Sequence, residues 1–574
     1  MKFFIQTIFA IIVVAALVGC GEKKGETAGE PNPEEVKKME QKFSDFEQKY
    51  IQDAKRITEA WFLAQWQSQI SGKKEDFDKA SAYEKEYNAM VSDKNAFAEL
   101  KEMKESGLIL DPVKQRSLKL IYDEYLSKQI DTNLLNQMTE LSSEIEQKYN
   151  QFRTKVDGKV YTDNEVEETL KTSKDSKKLE KVWKAHKDIG PVVAQDIIKL
   201  VKMRNQAAKQ LGFSNYHAMS LELSGQNPDD ISKLFDELDK LTESAYKTAK
   251  AEIDNVLSAQ LKITPDQMMP WHYQNRFFQE APKIYDVDLD TYYKGKKLET
   301  LVADYYKSIG LPIDGMLAAS DLYEKPGKNQ HAFCTMISKD PRDVRVLGNI
   351  KPNASWMETM LHEFGHAVYF YWLGNDIPWT QQDCAHIFTT EAIAMFFGRL
   401  ASQPEWMVDM GLINLEEKEK IAPTAKKILR LQMIVFSRWA QVMYRFEKSM
   451  YENPDQDLNK LWWQLVEKYQ LVKMPEDRNM PDWASKTHIA SSPCYYHNYL
   501  MGELLASQLY MYINKNIVKA PEGTEPSFKG QAKVGEYLIK NVFEPANRWY
   551  WNDMIEKATG EKLTAKYFAK QFID

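Results

Sequence analysis

His362 and His366 stand four residues apart in SWMETMLHEFGHAVYFYWLGN (355–375), with Glu363 beside the first. On a helix, two imidazoles at that spacing share one face and can reach a single zinc ion. Glu363 projects about 100° round from His362, close to that ion, where its carboxylate can polarise a bound water. The pattern therefore specifies metal-assisted hydrolysis. A third protein ligand is needed to close the site. TTEAIAMFFGRL offers Glu391, 25 residues after His366 and set among apolar residues at helical spacing. A carboxylate in such a run wants a cation or a strong partner. Asp383 and Asp376 are the alternatives, in loop-like text.

The elements around these residues can be read from the same text. Pro352 discourages an earlier helix start, and Ser355 with Glu358 forms a capping box, so a helix is predicted from about Trp356, with Gly374 as its stop. Immediately upstream, HAFCTMI (331–337) and DVRVLGNI (343–350) flank the turn-rich SKDPRD, which predicts a β-hairpin. From about 34 to 260 the text is helical in period throughout, as in DISKLFDELDKLTESAYKTAKAEIDNVL. No fixed-period repeat and no Gly/Ser-rich linker divides the chain, so 34–574 is expected to be one domain.

The 574 residues are 43% hydrophobic and 28% charged, with net charge −7 and the two signs interspersed. No basic face for nucleic acid is present. MKFFIQTIFAIIVVAALVGC reads as a signal peptide over residues 1–19. Its end, Leu17-Val18-Gly19-Cys20, looks like a bacterial lipobox, which implies cleavage before Cys20 and lipid on that residue. Gly21 rather than aspartate then favours the outer membrane of a Gram-negative cell. Residues 20–33, rich in Gly, Pro and Glu, read as a flexible tether. Cys334, Cys384 and Cys494 are too few for a disulfide framework, so the fold must rest on its core. The expected state is a monomer touching the membrane only through its lipid.

A wider set of motifs carries a resemblance. HAFC, HEFGH, TTEAIA, Trp462-Trp463 with Lys468-Tyr469-Gln470, Lys486-x-His488-Ile489, Ser491-Ser492 and Tyr496-x-x-Tyr499 together resemble the peptidyl-dipeptidase A family, the angiotensin-converting-enzyme-like metallopeptidases. The resemblance implies a mainly α fold, a large helical ellipsoid of two lobes around a central cleft with a small hairpin at the zinc site. It implies one zinc per chain on His362, His366 and Glu391, with Glu363 as general base and later proton donor. His488 and Tyr499 would stabilise the oxyanion. Lys486 and Tyr496 would hold the free C-terminal carboxylate of an oligopeptide substrate. His331, Ala332 and Cys334 would pair with its backbone.

Four departures from that pattern bear on its reach. Tyr495 competes with Tyr496, because the spacing from His488 is one residue long. Met395 stands where the family has an aspartate orienting a zinc histidine, so another acceptor is required. The family's carboxylate-binding glutamine has only a loose counterpart, Gln274. The positions of the chloride-binding arginines hold His217, Val466 and Asn498, none a permanent cation, which implies chloride-independent activity.

The metzincin extension of the motif is excluded by Tyr369 and Trp372. Two other readings compete with dipeptide release. One is a zinc endopeptidase like thimet oligopeptidase or the oligoendopeptidases, to which YYHNYLMGE could also belong. The other is a peptide-binding lipoprotein without catalysis, which the intact Glu363 and metal residues argue against.

Overall fold

The computed structural model describes residues 31–573, so the signal peptide, Cys20 and most of the tether lie outside the described residues. Within that range the molecule is mainly α, with helix over 68% of the chain. It opens with a 39-residue helix, Pro33–Ser71. Asn32 caps it by accepting the Glu34 N–H, Pro33 occupies the first turn, where a missing N–H costs nothing, and Gly72 ends it in the left-handed region. Three further helices, Lys74–Val91, Lys94–Ser106 and Pro112–Ser127, pack with it around a core of their own that includes Phe43, Tyr50, Leu100, Ile121 and Tyr125. The rest of the chain shares one large continuous core.

The helical period of the first half hides one exception. Strands β1 (Thr154–Val156) and β2 (Lys159–Tyr161) form a small antiparallel hairpin. Asp157 and Gly158 between them both have positive φ, the geometry a two-residue hairpin turn needs. The strands are only three residues long, too short for alternation to stand out against helical neighbours.

The second hairpin lies where the sequence predicts it. β3 (Phe333–Lys339) pairs antiparallel with β4 (Arg342–Leu347), with an irregularity between Met336 and Ser338. Trp66 of the first helix packs on Ile337 and Leu347, joining the N-terminal helices to this hairpin. Lys328 braces it from the preceding loop; its buried ammonium donates to Asp321 Oδ1 and to the carbonyls of Asp321, Tyr323 and Gly348. A cation with four acceptors satisfies the condition for burying charge.

Three helices then carry the chemistry-bearing residues. The histidine helix spans Ala354–Tyr371, the next Ile387–Gly398, and the tyrosine helix His497–Tyr512. The predicted capping box is not the cap used: Asn353 accepts the Trp356 N–H at 2.8 Å, so the helix starts two residues earlier than Ser355 and Glu358 suggest. Gly374 lies beyond the last turn, and a Cβ there would fall 2.5 Å from the Glu544 carbonyl oxygen. Its absence of a side chain serves close backbone approach rather than a helix stop.

Candidate metal and substrate site

Gly365 sits between the two histidines and lets the histidine helix touch Ile387–Gly398 backbone to backbone. A Cβ at Gly365 would lie 2.8 Å from Ala394 Cα. Gly502 plays the same part for the tyrosine helix, where a Cβ would meet Glu391 Cγ and Met395 Sδ at 3.2 Å. Glu391 is thereby held against the histidines. His362 Nε2 lies 3.6 Å from Glu391 Oε1, and His366 Nε2 lies 3.5 Å from Glu391 Oε2. The three ligand atoms all fall within 4.8 Å of one another. A tetrahedral zinc with bonds near 2.0–2.2 Å needs ligand separations of about 3.3–3.6 Å, so the donor set fits.

Electrostatics point the same way. Burial lowers His362 to about 4 and His366 well below the usual imidazole range, leaving neutral rings with lone pairs to offer. Burial also pushes Glu391 up to about 7, the condition of a buried carboxylate waiting for a cation. Asp383 and Asp376 are engaged elsewhere: Asp383 accepts the Cys384 N–H at 2.7 Å, and Asp376 pairs with Arg548 at 3.0 Å.

Glu363 is buried beside this triad. Burial first, and the Glu391 charge second, raise it to about 8, while the Cys334 N–H directed at its carboxylate works against the rise. Cys334 lies on β3, so the strand and the histidine helix meet at Glu363. His331 and Ala332 precede β3; His331 is exposed, with its N–H on Asn329 Oδ1 at 2.9 Å.

The residues from the C-terminal third converge on a cavity of about 340 Å³ lined by Lys486, His488, Tyr496, Tyr499 and Gln279. Lys486 Nζ donates to Gln279 Oε1 at 2.7 Å and lies 5.2 Å from the Tyr496 ring centre. Burial, then the Arg276 charge, lower Lys486 to about 8. His488 is lowered to about 4 by burial and by Lys486, so it is neutral, and its Nδ1 is buried without a partner. Tyr496 receives the indole N–H of Trp439 at 2.7 Å and packs edge-on against His488 and Tyr499. Tyr495 meets Tyr499 edge-on and does not line the cavity.

The family model of the angiotensin-converting enzymes matches residues 37–572. The chain belongs to that family of peptidases. An "inactive angiotensin-converting enzyme-related protein" of Caenorhabditis elegans is 21% identical over 397 residues, 63% of this chain and 43% of that protein. A "thermostable carboxypeptidase 1" of Pyrococcus furiosus is 22% identical over 418 residues, 65% of this chain and 71% of that protein. The match thus spans less than half the length of the first of these relatives.

Against the family's pattern the structure supplies what the sequence left open. Thr390 Oγ1, 2.8 Å from His366 Nδ1, is the partner that Met395 cannot be, and it turns Nε2 towards Glu391. Gln274 is not beside Lys486; it has positive φ, and its side chain accepts the Lys283 N–H at 2.8 Å. Gln279 takes that place. No spacing rule finds it, because residues 273–289 hold no regular helix or strand from which to count.

At one of the three chloride-arginine positions the structure adds a basic neighbour from elsewhere in the chain. Val466 lines a small cavity with Lys187 and Arg276. The Lys187 amine therefore stands near Val466, supplied by another helix, with Nζ 3.1 Å from Ser485 Oγ and 3.4 Å from the Phe277 ring centre. Burial holds Lys187 well below the usual lysine range. At the other positions, His217 is buried against Tyr444, and Asn498 accepts from Gln226 at 2.8 Å.

Proposed function

We propose that this protein is a zinc peptidase that releases dipeptides from the free C-terminus of oligopeptides, held outside the cytoplasm by lipid on Cys20. The observation that carries this reading is the convergence of Lys486, Gln279 and Tyr496 in one cavity beside the His362–His366–Glu391 cluster. Membership of a peptidase family and similarity to a carboxypeptidase support the hydrolytic part. The two-residue length of the product comes from the family resemblance. Among the described residues no helix is long and apolar enough to cross a membrane, which is compatible with a lipid tether.

In this reading Lys486 and Tyr496 hold the substrate's terminal carboxylate, and the Gln279 amide N–H is free to join them. The Phe333–Lys339 strand aligns the peptide backbone beside Glu363. A bound zinc supplies Lewis acidity and lowers the pKa of water. Glu363 accepts the proton of the attacking water and returns it to the departing amine. Tyr499 and neutral His488 donate to the carbonyl oxygen as it gains charge, where preorganised donors act most strongly.

The test is one blocked hexapeptide, offered as free acid and as C-terminal amide to the zinc-loaded protein, with products read by mass spectrometry. Dipeptide release from the acid alone is expected, and it should fall by about 10²–10⁴ in Glu363→Gln with zinc still bound. Internal cleavage of both peptides would replace this reading with an oligopeptidase one. Release of single residues would place the activity with carboxypeptidases proper.

A further inference from the structure

Glu503 lies on the tyrosine helix one turn beyond Tyr499 and lines the same cavity as Lys486. It is only 6% exposed. Its Oε2 takes a guanidinium N–H of Arg399, whereas Oε1 has no hydrogen-bond partner among the described residues. A carboxylate that lines the cavity with one oxygen unpaired can accept from a cationic or polar head placed there. Glu280, adjacent to Gln279, adds a second carboxylate at the exposed rim. Lys171 stands 3.8 Å from Glu280, but both side chains are more than half exposed, so that pair neutralises little.

We propose that Glu503 and Glu280 make this cavity a subsite for a cationic side chain, that of lysine or arginine, on one of the last two residues of the substrate. The inference rests on the C-terminal anchoring reading above. With the peptide carboxylate on Lys486, the acidic groups left facing a bound side chain are Glu503, whose Oε2 is held by Arg399, and Glu280, whose partner Lys171 is more than half exposed. A cationic head is the complement of these two carboxylates. Met433 and Phe436 supply an apolar surface along which the methylene stem of lysine or arginine can lie while its head reaches Glu503. A bound apolar side chain would seal Glu503 Oε1 away from water with nothing to accept from. An acidic one would meet like charge.

The experiment separates this inference from the catalytic reading. The dipeptides Leu-Lys and Lys-Leu, and their norleucine counterparts, are titrated into the zinc-loaded full chain by calorimetry; blocked hexapeptides ending in the same pairs are then assayed for cleavage. One lysine dipeptide is expected to bind about tenfold more tightly than its norleucine counterpart. That ratio should collapse towards one in Glu503→Gln. Should that variant fail to fold, the ratio should fall at least threefold in Glu280→Gln, a change at the exposed rim. Equal affinities for lysine and norleucine, or a ratio indifferent to the substitution, would overturn the subsite. Cation-dependent binding without dipeptide release would overturn the proposed function and leave the subsite standing. Release with no cation preference would do the reverse.

Discussion

Lys486 is a lysine whose charge depends on conditions a cell can meet. Burial and Arg276 bring it down to about 8, so its ammonium is fully present below that pH and lost above it. If it holds the substrate carboxylate, KM for a free-acid peptide should be flat from pH 6.5 to 7.5 and then rise, up to tenfold per unit, past pH 8. Initial rates across that range on one substrate check this; a KM that stays level to pH 9.5 would mean that Lys486 keeps its charge there, and an unchanged KM in Lys486→Met would remove it from substrate binding. The residues at this scale were unequally legible. His362, Glu363 and His366 declare themselves because ligand spacing on a helix is a local property. Glu391 follows because a carboxylate in an apolar run needs explanation. Gln279 and Thr390 act through contacts between segments, on which sequence spacing is silent.

The elements explain why the site holds its shape. The histidine helix and its neighbour approach so closely at Gly365 that a methyl group would meet Ala394 Cα at 2.8 Å. Both contact atoms belong to the helices' main chains or directly to them, so neither can swing aside. Gly365→Ala should therefore separate the helices, at about 1–3 kcal/mol of stability, and weaken zinc retention by pulling Glu391 from the histidines. Thermal unfolding with and without zinc, together with metal content after dialysis, measures both effects. A variant as stable and as zinc-retentive as the parent would mean that the crossing tolerates more space than the geometry allows. Element type was readable from sequence wherever the apolar period ran long, as in Pro228–Leu261. Boundaries were less so, since Asn353 and the Ser355–Glu358 pair are rival caps two residues apart. The hairpin of β1 and β2 was missed because three-residue strands leave no periodic trace, although the Asp157-Gly158 turn was there to be read.

At the scale of the whole molecule, the first four helices stand partly on their own. Their core is distinct from the main one. Contacts that join them to the body include Trp66 on the β3–β4 hairpin, Arg116 Nε on the Asn547 carbonyl at 2.8 Å, and Ser117 with Thr380 and Gln381 at 2.9 and 3.0 Å. A unit with a small core of its own opens more readily than the large one beside it. Hydrogen exchange should show residues 33–127 losing protection together, well before the histidine helix does. Equal protection in the two regions would make the molecule a single cooperative unit.

The distribution of the working residues along the chain has an evolutionary consequence. The groups that would hold metal and move protons fall within 362–391, whereas those that would recognise a peptide come from 279–280, 333–339 and 486–503, the last segment also carrying the oxyanion donors His488 and Tyr499. One substitution in the short stretch can silence hydrolysis and leave the recognition cavity intact. Drift in the distant segments, His488 and Tyr499 apart, can change which peptides are accepted and leave the reaction untouched. A lineage built on this scaffold can thus exchange a cutting protein for a holding one, or one diet of peptides for another, by independent mutational routes.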